Sequence, residues 1–189
     1  MDIQGKRTFV FEKITDYLKE NDFKKRGNHF FKSNGEIGYC VNIQNDKWND
    51  ADQIRFTLNV GIFTEAFWLE CEDFKNTGII PTFPKEYECA IRKRIGGLLP
   101  VKEDKWYCIT SCTYVMKLWN KIERDLTEYI LPFFTRTIPN LMSYPINLST
   151  GKEASDETDL SGEMDNCSIV CDYVLLFFRC SICGRDYQD

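Results

Sequence analysis

The sequence has very little histidine: His29 is the only one among 189 residues. Serine and cysteine nucleophiles usually depend on a histidine base, and His29, next to Phe30, has the setting of a structural residue. The sequence also lacks a Gly-x-Ser-x-Gly turn and the two common glycine-rich phosphate-binding motifs. These absences argue against the common nucleophilic and nucleotide-dependent reactions, and no catalytic residue is predicted.

Long apolar segments are absent too. The longest apolar run, residues 173–178, is far shorter than the roughly 20 residues that a membrane-spanning helix needs. The first residues, MDIQGKRTFVFEK, show no apolar segment behind a basic start and so do not resemble a secretory signal. The sequence therefore predicts a soluble cytoplasmic protein without membrane contact, in which the nine cysteines are mostly reduced thiols.

The net charge of −5 is concentrated near the end of the chain. Residues 147–189 contain 3 of the 24 basic and 9 of the 29 acidic residues, which leaves 21 basic and 20 acidic residues before them. Residues 147–166 are rich in Ser, Thr, Gly, Asp and Glu and have little to bury, so they predict a flexible acidic linker. The expected organisation is an α+β domain at 1–146, this linker, and a cysteine-containing terminal strand segment at 167–189.

Hydrophobic spacing predicts the secondary structure of the main domain. Residues 9–21 and 114–131 have apolar residues at helical spacing, and the second helix is expected to stop near Pro132. Residues 53–63 alternate apolar and polar side chains as a half-buried strand does, and Asn34-Gly35 is typical of a β-hairpin turn. These patterns predict an α+β fold: an antiparallel sheet of about four to five strands, N- and C-terminal helices packed on one face, and a C-terminal extension.

Two basic clusters, Lys24-Lys25-Arg26 and Arg92-Lys93-Arg94, are interpreted as a solvated helix end and a solvated helix face. Binding to a phosphate backbone is the alternative, with Phe30, Phe31 and Trp106 as stacking residues. Because the main domain is only one charge above neutral, nucleic acid is not the expected partner.

A succession of short motifs runs through the main domain. They are Phe23-Lys24-Lys25-Arg26-Gly27, Ile43-Gln44, Phe56-Thr57-Leu58-Asn59-Val60-Gly61, Arg94-Ile95-Gly96, Asp104-Lys105-Trp106 and Leu131-Pro132-Phe133. In this order they resemble an uncharacterised bacterial family, the domain of unknown function numbered 4304, over residues 8–134. The resemblance implies a single small α+β domain and brings no established activity or catalytic residue.

Three residues of these motifs form the predicted ligand-binding site: Arg94, Gly96 and Trp106. Arg94 is expected to pair with a carboxylate, Gly96 to adopt a positive φ, and Trp106 to fill core space. Maintenance of the fold is the favoured role for all three, and a ligand-binding pocket around them is the alternative.

The terminal segment contains four cysteines whose chemistry suits a zinc site: Cys167, Cys171, Cys180 and Cys183. The apolar interval between the two pairs is typical of a strand, which would hold them about 30 Å apart at roughly 3.3 Å per residue. Convergence of four sulfurs then needs a bend, or cysteines from elsewhere such as Cys108 and Cys112. Too few residues follow Cys183 for the helix that thioredoxin-like redox chemistry uses. No cofactor is therefore expected, with zinc as the alternative.

The lack of a catalytic constellation favours a non-catalytic binding or inhibitor protein of bacterial type, in a toxin-immunity or accessory role, with a protein as its partner. An enzyme of unrecognised class with a pocket near Arg94 and Trp106 is the alternative. A zinc-stabilised interaction tail is a further alternative, because the apolar residues 169–178 need a surface to pack against. The sequence does not indicate the oligomeric state.

Overall fold

A computed structural model describes residues 1–35, 37–70 and 79–142 of the chain. The fold belongs to the compact unit Met1–Pro139. No helix within the described ranges combines the length and the apolar character needed to span a membrane. The predicted linker and the four cysteines considered for zinc lie outside the described residues.

Helix α1 spans Ile3–Glu20 and begins earlier than the predicted residues 9–21. Asp2 caps it, since its side chain accepts a hydrogen bond of 2.7 Å from the amide of Gly5. The cap supplies a partner for a backbone amide that the first turn leaves unpaired, which explains the early start. The buried apolar stripe of the helix consists of Val10, Ile14 and Leu18.

Four consecutive strands form an antiparallel meander: β1 (Lys24–Arg26), β2 (His29–Asn34), β3 (Ile37–Asn45) and β4 (Gln53–Thr64). The turns before β2 and β3 contain Gly27 at φ 59° and Gly35 at φ 65°, a left-handed conformation that glycine adopts without strain. The predicted hairpin at Asn34-Gly35 is confirmed. The basic cluster at 24–26 is a strand rather than a helix end, because α1 has already ended and the chain reverses at Gly27.

Two shorter strands share the second edge of β4: β5 (Ile91–Arg94) and β6 (Tyr107–Thr110). β5 pairs with residues 59–62 of β4, and β6 pairs with residues 53–56. Between them the chain leaves the sheet as helix α3 (Ile95–Leu98) and a loop. The basic residues 92–94 therefore lie in a strand and not on a helix face.

The remaining helical elements are α2 (Glu65–Glu70), a 3₁₀ turn (Glu86–Glu88), α4 (Val115–Asp125), a π-helical turn (Leu126–Ile130) and α5 (Leu131–Met142). The prediction that the C-terminal helix stops near Pro132 is wrong. Proline lacks the amide hydrogen that a continuous α-helix would use, and the π turn changes the hydrogen-bond pattern just before that position. Pro132 then lies in the first turn of α5, where proline is tolerated.

The N- and C-terminal helices cover one face of the sheet, which confirms the predicted α+β architecture; the sheet has six strands, against about four to five predicted. The side chains of β4 that enter this core are Ile54, Phe56, Leu58, Val60 and Ile62. The ring centroids of Phe56 and Phe11 of α1 are 5.0 Å apart, as are those of Tyr39 of β3 and Phe134 of α5. We call the face of the sheet that these helices cover the inner face, and the opposite face the outer face.

The inner core also contains a buried ion pair. The Lys105 ammonium contacts the Asp125 carboxylate at the end of α4, and the Tyr107 hydroxyl donates a hydrogen bond of 2.7 Å to the same carboxylate. Burial, and then the neighbouring Asp125 charge, raise the pKa of Tyr107 well above its usual value. Because Lys105 precedes β6, this cluster ties the loop between β5 and β6 to α4.

Candidate functional site on the outer face of the sheet

The outer face carries a row of polar side chains, one from each of the strands β1 to β5. The strand registers align them in the order Arg26, His29, Asn42, Asn59 and Arg94. Aligned side chains on one face of a sheet lie about 5 Å apart and can interact. We call these residues the polar row.

Close contacts join the polar row from β2 to β5. Asn42 Nδ2 lies 3.2 Å from His29 Nδ1, and Asn59 Nδ2 donates a hydrogen bond of 3.4 Å to Asn42 Oδ1. Asn59 also donates to Gln44 Oε1 at 2.7 Å, and Arg94 Nε donates to Asn59 Oδ1 at 3.4 Å. Each of these side chains is held by its neighbours, so the row is preorganised.

Residues 79–90 and α2 cover part of the outer face. Trp68 of α2 and Cys89 pack there against Cys40 and Phe63 of the sheet in a small apolar cluster. Gly61 permits this contact, because a Cβ at that position would lie 2.6 Å from the Cys89 sulfur. Burial is the main cause that raises the pKa of the Cys89 thiol well above its usual value, so this thiol is not activated as a nucleophile. Cys40 pairs with Gly61 in the register of β3 and β4, and Asn42 pairs with Asn59 two residues further along. The polar row therefore borders the covered part of the outer face.

Arg94 and Trp106, two residues of the predicted ligand site, are in contact beside the edge of the sheet. The Arg94 guanidinium donates hydrogen bonds of 2.9 and 3.1 Å to Asp104, and Trp106 Nε1 donates one of 2.8 Å to the same carboxylate. The hydrogen bond from Arg94 is the main cause that lowers the pKa of Asp104. The guanidinium carbons of Arg55 and Arg94 each lie 5.3 Å from the centre of the Trp106 ring.

This arrangement fits one expectation for these residues and corrects another. Arg94 pairs with a carboxylate, as the sequence predicts. Trp106 does not fill core space: it is only partly buried, because its ring lies on the outer face between two arginines. It is therefore accessible to a partner.

Gly96 is required for a reason other than the predicted one. It is not among the glycines of positive φ in the described residues, which are Gly27 and Gly35. A Cβ at position 96 would overlap the carbonyl oxygen of Glu103 and lie 2.9 Å from the amide nitrogen of Lys105. The close approach of these two backbones supports the loop that carries Asp104 and Trp106.

The loop between β3 and β4 presents Trp48, which is 77% exposed. The Trp48 amide donates a hydrogen bond of 3.1 Å to Asp46 Oδ1, and Asp50 accepts two backbone hydrogen bonds at the end of the loop. Asn49 exchanges hydrogen bonds of 2.6 and 2.9 Å with the backbone of Arg55. Asp46 also forms an ion pair of 3.3 Å with Arg55. Trp48 is thus held in solvent on a loop fixed by its own side chains.

A buried carboxylate lies over the other end of the polar row. The side chain of Glu86, in the 3₁₀ turn, is only 8% exposed, and its Oε2 atom is 3.3 Å from His29 Nδ1. This oxygen has no hydrogen-bond partner among the described residues. The other oxygen, Oε1, lies 3.9 Å from Arg92 Nη2. His29, predicted to be structural, is thus placed beside a carboxylate with 26% of its side chain exposed.

Sequence reasoning identified Arg94 and Trp106 but missed Trp48, Arg55 and Glu86. Arg55 occupies a polar position of the alternating strand, so the pattern could have placed it on the less buried face of the sheet. No local signal links Glu86 to His29, because the two lie in segments that meet only in the tertiary structure.

Metal binding was considered for the cysteines. Within residues 1–35, 37–70 and 79–142, no group of three or more His, Cys, Asp or Glu side chains is arranged to hold a metal ion. Cys108 and Cys112 are free and at least partly exposed. Their association with Cys167, Cys171, Cys180 and Cys183 around zinc stays a prediction.

Comparison with known proteins gives a family and no individual relative. A family model described as Domain of unknown function (DUF4304) matches residues 14–136. This range contains the polar row, Trp48, Glu86 and Trp106. No curated protein and no solved structure matches the chain.

Proposed function

Because the chain belongs to the family described as Domain of unknown function (DUF4304), a description that assigns no activity, we propose from its geometry that it is a non-catalytic binding or inhibitor protein. The proposed partner is a protein that contacts Trp48, Arg55, Arg94 and Trp106, which we call the tryptophan–arginine surface. The observation that carries the proposal is the 77% exposure of Trp48 on a loop held by its own hydrogen bonds.

Exposure of Trp48 is unfavourable for the isolated protein. Burial of a large apolar side chain stabilises a complex by roughly 2 kcal/mol. Because the loop is already fixed, little conformational entropy is lost when a partner covers this side chain. Tryptophan and arginine are also the residues most enriched at interface hot spots. Asp46 connects the Trp48 backbone to Arg55, and Arg55 lies over the Trp106 ring, so these residues together have the composition of an interface centre.

Charges of both signs surround this surface. Lys47, which lies over the Trp48 ring at 5.0 Å, Arg55 and Arg94 are accompanied by the carboxylates of Asp46, Asp50, Asp52 and Asp104. A complementary partner therefore presents an apolar pocket with charges of both signs at its rim. We propose a bacterial toxin, neutralised in the cytoplasm by this chain as an immunity or accessory protein, as the partner class.

An enzyme with a pocket near Arg94 and Trp106 is the alternative that this geometry supports less. Asp104 already accepts hydrogen bonds from both residues, so the three groups satisfy one another. Catalytic groups need hydrogen-bonding capacity directed at a substrate. Mutual pairing suits a preformed binding surface better. The proposal needs no cofactor, and zinc analysis of the purified full chain tests the zinc-stabilised tail separately.

The test compares partner binding by wild type, Trp48→Ala and Arg55→Glu. The tagged full chain captures proteins from its source cells, and each captured protein is then purified and titrated against the variants. We expect both substitutions to weaken binding at least tenfold, because a hot-spot residue contributes about 2 kcal/mol or more. Lys117→Glu, an exposed change on α4 with the same reversal of charge, is the matched control and should bind as wild type does.

Two results would contradict the proposal. A partner whose affinity is unchanged by Trp48→Ala and Arg55→Glu, but lost with Lys117→Glu, would place the interface on the helices. Turnover of a small substrate that is abolished by Arg94→Gln would favour the enzyme instead.

A further inference from the structure

Asp46 is a carboxylate with little access to solvent at the base of the loop that carries Trp48. It directly follows the last residue of β3, and its side chain is only 10% exposed. A carboxylate that is largely removed from water is costly unless its oxygens are paired. The partners of these two oxygens therefore indicate what the residue does.

Each carboxylate oxygen of Asp46 holds a different element. Oδ1 accepts the hydrogen bond of 3.1 Å from the Trp48 amide, within the loop. Oδ2 lies 3.3 Å from Nη1 of Arg55, on β4. The Asp46 amide also donates a hydrogen bond of 2.9 Å to the Arg55 carbonyl oxygen. One residue thus fixes both the backbone that carries Trp48 and the guanidinium of Arg55.

The Arg55 guanidinium is held from a second side as well. Its central carbon lies 5.3 Å from the centre of the Trp106 ring, and Trp106 Nε1 in turn donates a hydrogen bond of 2.8 Å to Asp104. An arginine side chain loses much rotamer freedom when it is ordered. Because Asp46 and Trp106 order Arg55 in the free protein, a partner need not supply that entropy on binding.

The other polar side chains of this loop do not make the same connection. Asp50 accepts two backbone amides and closes the turn before β4. Asn49 bonds to the backbone of Arg55 and not to its guanidinium. Asp52 is exposed, and only its backbone amide takes part in a hydrogen bond among the described residues. Within the described loop, the side chain that joins Trp48 to the Arg55 guanidinium is therefore Asp46.

We propose that Asp46 is a positioning residue of the tryptophan–arginine surface, which holds Trp48 and Arg55 as one preformed unit for a partner protein. The inference rests on the proposed function of that surface. A fixed separation between the two groups raises affinity by lowering the cost of ordering them. It also selects partners whose apolar pocket and rim charges have the same separation. At 10% exposure, Asp46 acts through its two neighbours.

The first test needs no partner. NMR relaxation of the full chain gives order parameters for the Trp48 amide and for Arg55 Nε. In the wild type both should be about 0.85, the value of rigid groups, and in Asp46→Ala both should fall below about 0.6. Asp52→Ala, the same change at an exposed position of the same loop, should leave both values unchanged.

Asp46→Asn separates the two contacts. The amide oxygen of asparagine can still accept from the Trp48 amide, but the side chain carries no charge to hold Arg55. Trp48 should therefore stay ordered while Arg55 Nε becomes mobile. A general loss of stability would loosen both groups or neither, so a merely structural role for Asp46 does not give this separation.

The second test measures binding of the captured partner. Asp46→Ala should weaken it at least about tenfold, and Asp52→Ala should not change it. In a Trp48→Ala background, Asp46→Ala should weaken binding by a smaller factor, because one of the two groups that it positions is gone. A merely structural role would give the same factor in both backgrounds.

Unchanged order of Trp48 and Arg55 in a folded Asp46→Ala would overturn the inference, with or without a known partner. Retention of the other amide resonances shows that the variant is folded. A partner whose affinity falls with Trp48→Ala but not with Asp46→Ala would overturn it too. If neither Trp48→Ala nor Arg55→Glu changes the affinity, the proposed function fails instead, and the order parameters still decide whether Asp46 positions the two groups.

Discussion

Leu58 and Asn59 are neighbours on β4, yet their side chains enter two different environments. Leu58 is fully buried on the inner face, among the apolar side chains of the sheet and helices. Asn59 lies on the outer face and donates a hydrogen bond of 2.7 Å to Gln44. The inner face excludes water to stabilise the fold, whereas the outer face holds polar groups that satisfy one another and remain in reach of a partner.

The ion pairs of the two faces show the same difference. Lys105 and Asp125 are paired on the inner side with side-chain exposures of 12% and 0%. Arg94 and Asp104 are paired on the outer face with exposures of 37% and 55%. Water screens the outer pair and not the inner one. Removal of the carboxylate from each pair should therefore lower the free energy of unfolding by different amounts.

The largest effect is expected for Asp125→Ala. Removal of this carboxylate leaves the Lys105 ammonium buried without a partner and the Tyr107 hydroxyl without its acceptor. The free energy of unfolding should fall by about 3 to 5 kcal/mol. Asp104→Ala, the matched change on the outer face, should cost about 1 kcal/mol or less. Urea unfolding measures both, and equal losses would mean that the two faces do not differ as described.

Gly96→Ala should give the next largest effect. The added methyl group overlaps the Glu103 carbonyl, so α3 and the following loop must separate. We expect a loss of about 1 to 3 kcal/mol in the free energy of unfolding and a change in the fluorescence of Trp106. Gly97→Ala is the control, because a Cβ at position 97 meets nothing within 4 Å. It should be neutral or stabilising by up to about 1 kcal/mol, and a loss as large as that of Gly96→Ala would refute the packing argument.

The smallest effect is expected for the pH dependence of Asp104. Its pKa is lowered in the folded state, chiefly by the hydrogen bond from Arg94. The pair therefore stabilises the fold above the unfolded pKa of about 3.9 and loses this contribution as the pH falls through the folded value. Because the side chain is half exposed, the contribution should stay below about 1 kcal/mol.

Comparison of wild type with Asp104→Asn checks this prediction. The difference between their free energies of unfolding should be constant near neutral pH and should shrink below about pH 4. Asp16→Asn serves as the control, because Asp16 is exposed on α1 and forms no ion pair among the described residues. If the difference between the two free energies of unfolding grew as the pH fell, the prediction would be wrong.

Much of the fold follows from local patterns in the sequence. The alternation in β4 predicts both faces of the sheet, and Asn34-Gly35 predicts the hairpin between β2 and β3. The extent of the C-terminal helix could not be predicted in the same way. Pro132 signals a stop in any local reading, whereas the packing of Phe133 and Phe134 in the core favours a π turn that lets the helix continue.

The candidate site was only partly predictable. Arg94 and Trp106 stand out as an arginine and a tryptophan in two short motifs, and the structure brings them together through Asp104. Trp48 was not among the predicted site residues. Its importance comes from its exposure and from the hydrogen bonds that fix its loop, and neither property is visible in the residue type.

By itself, the sequence determined the alternation of strands, the apolar stripes of the helices and the glycine turns, because these depend on residues close together along the chain. Only the tertiary structure decided that Glu86 lies over His29, that Arg55 and Arg94 flank Trp106, and that Lys105 meets Asp125 in the core. Those contacts join distant segments, and their energies depend on burial. Burial arises only when the whole sheet and its helices have packed.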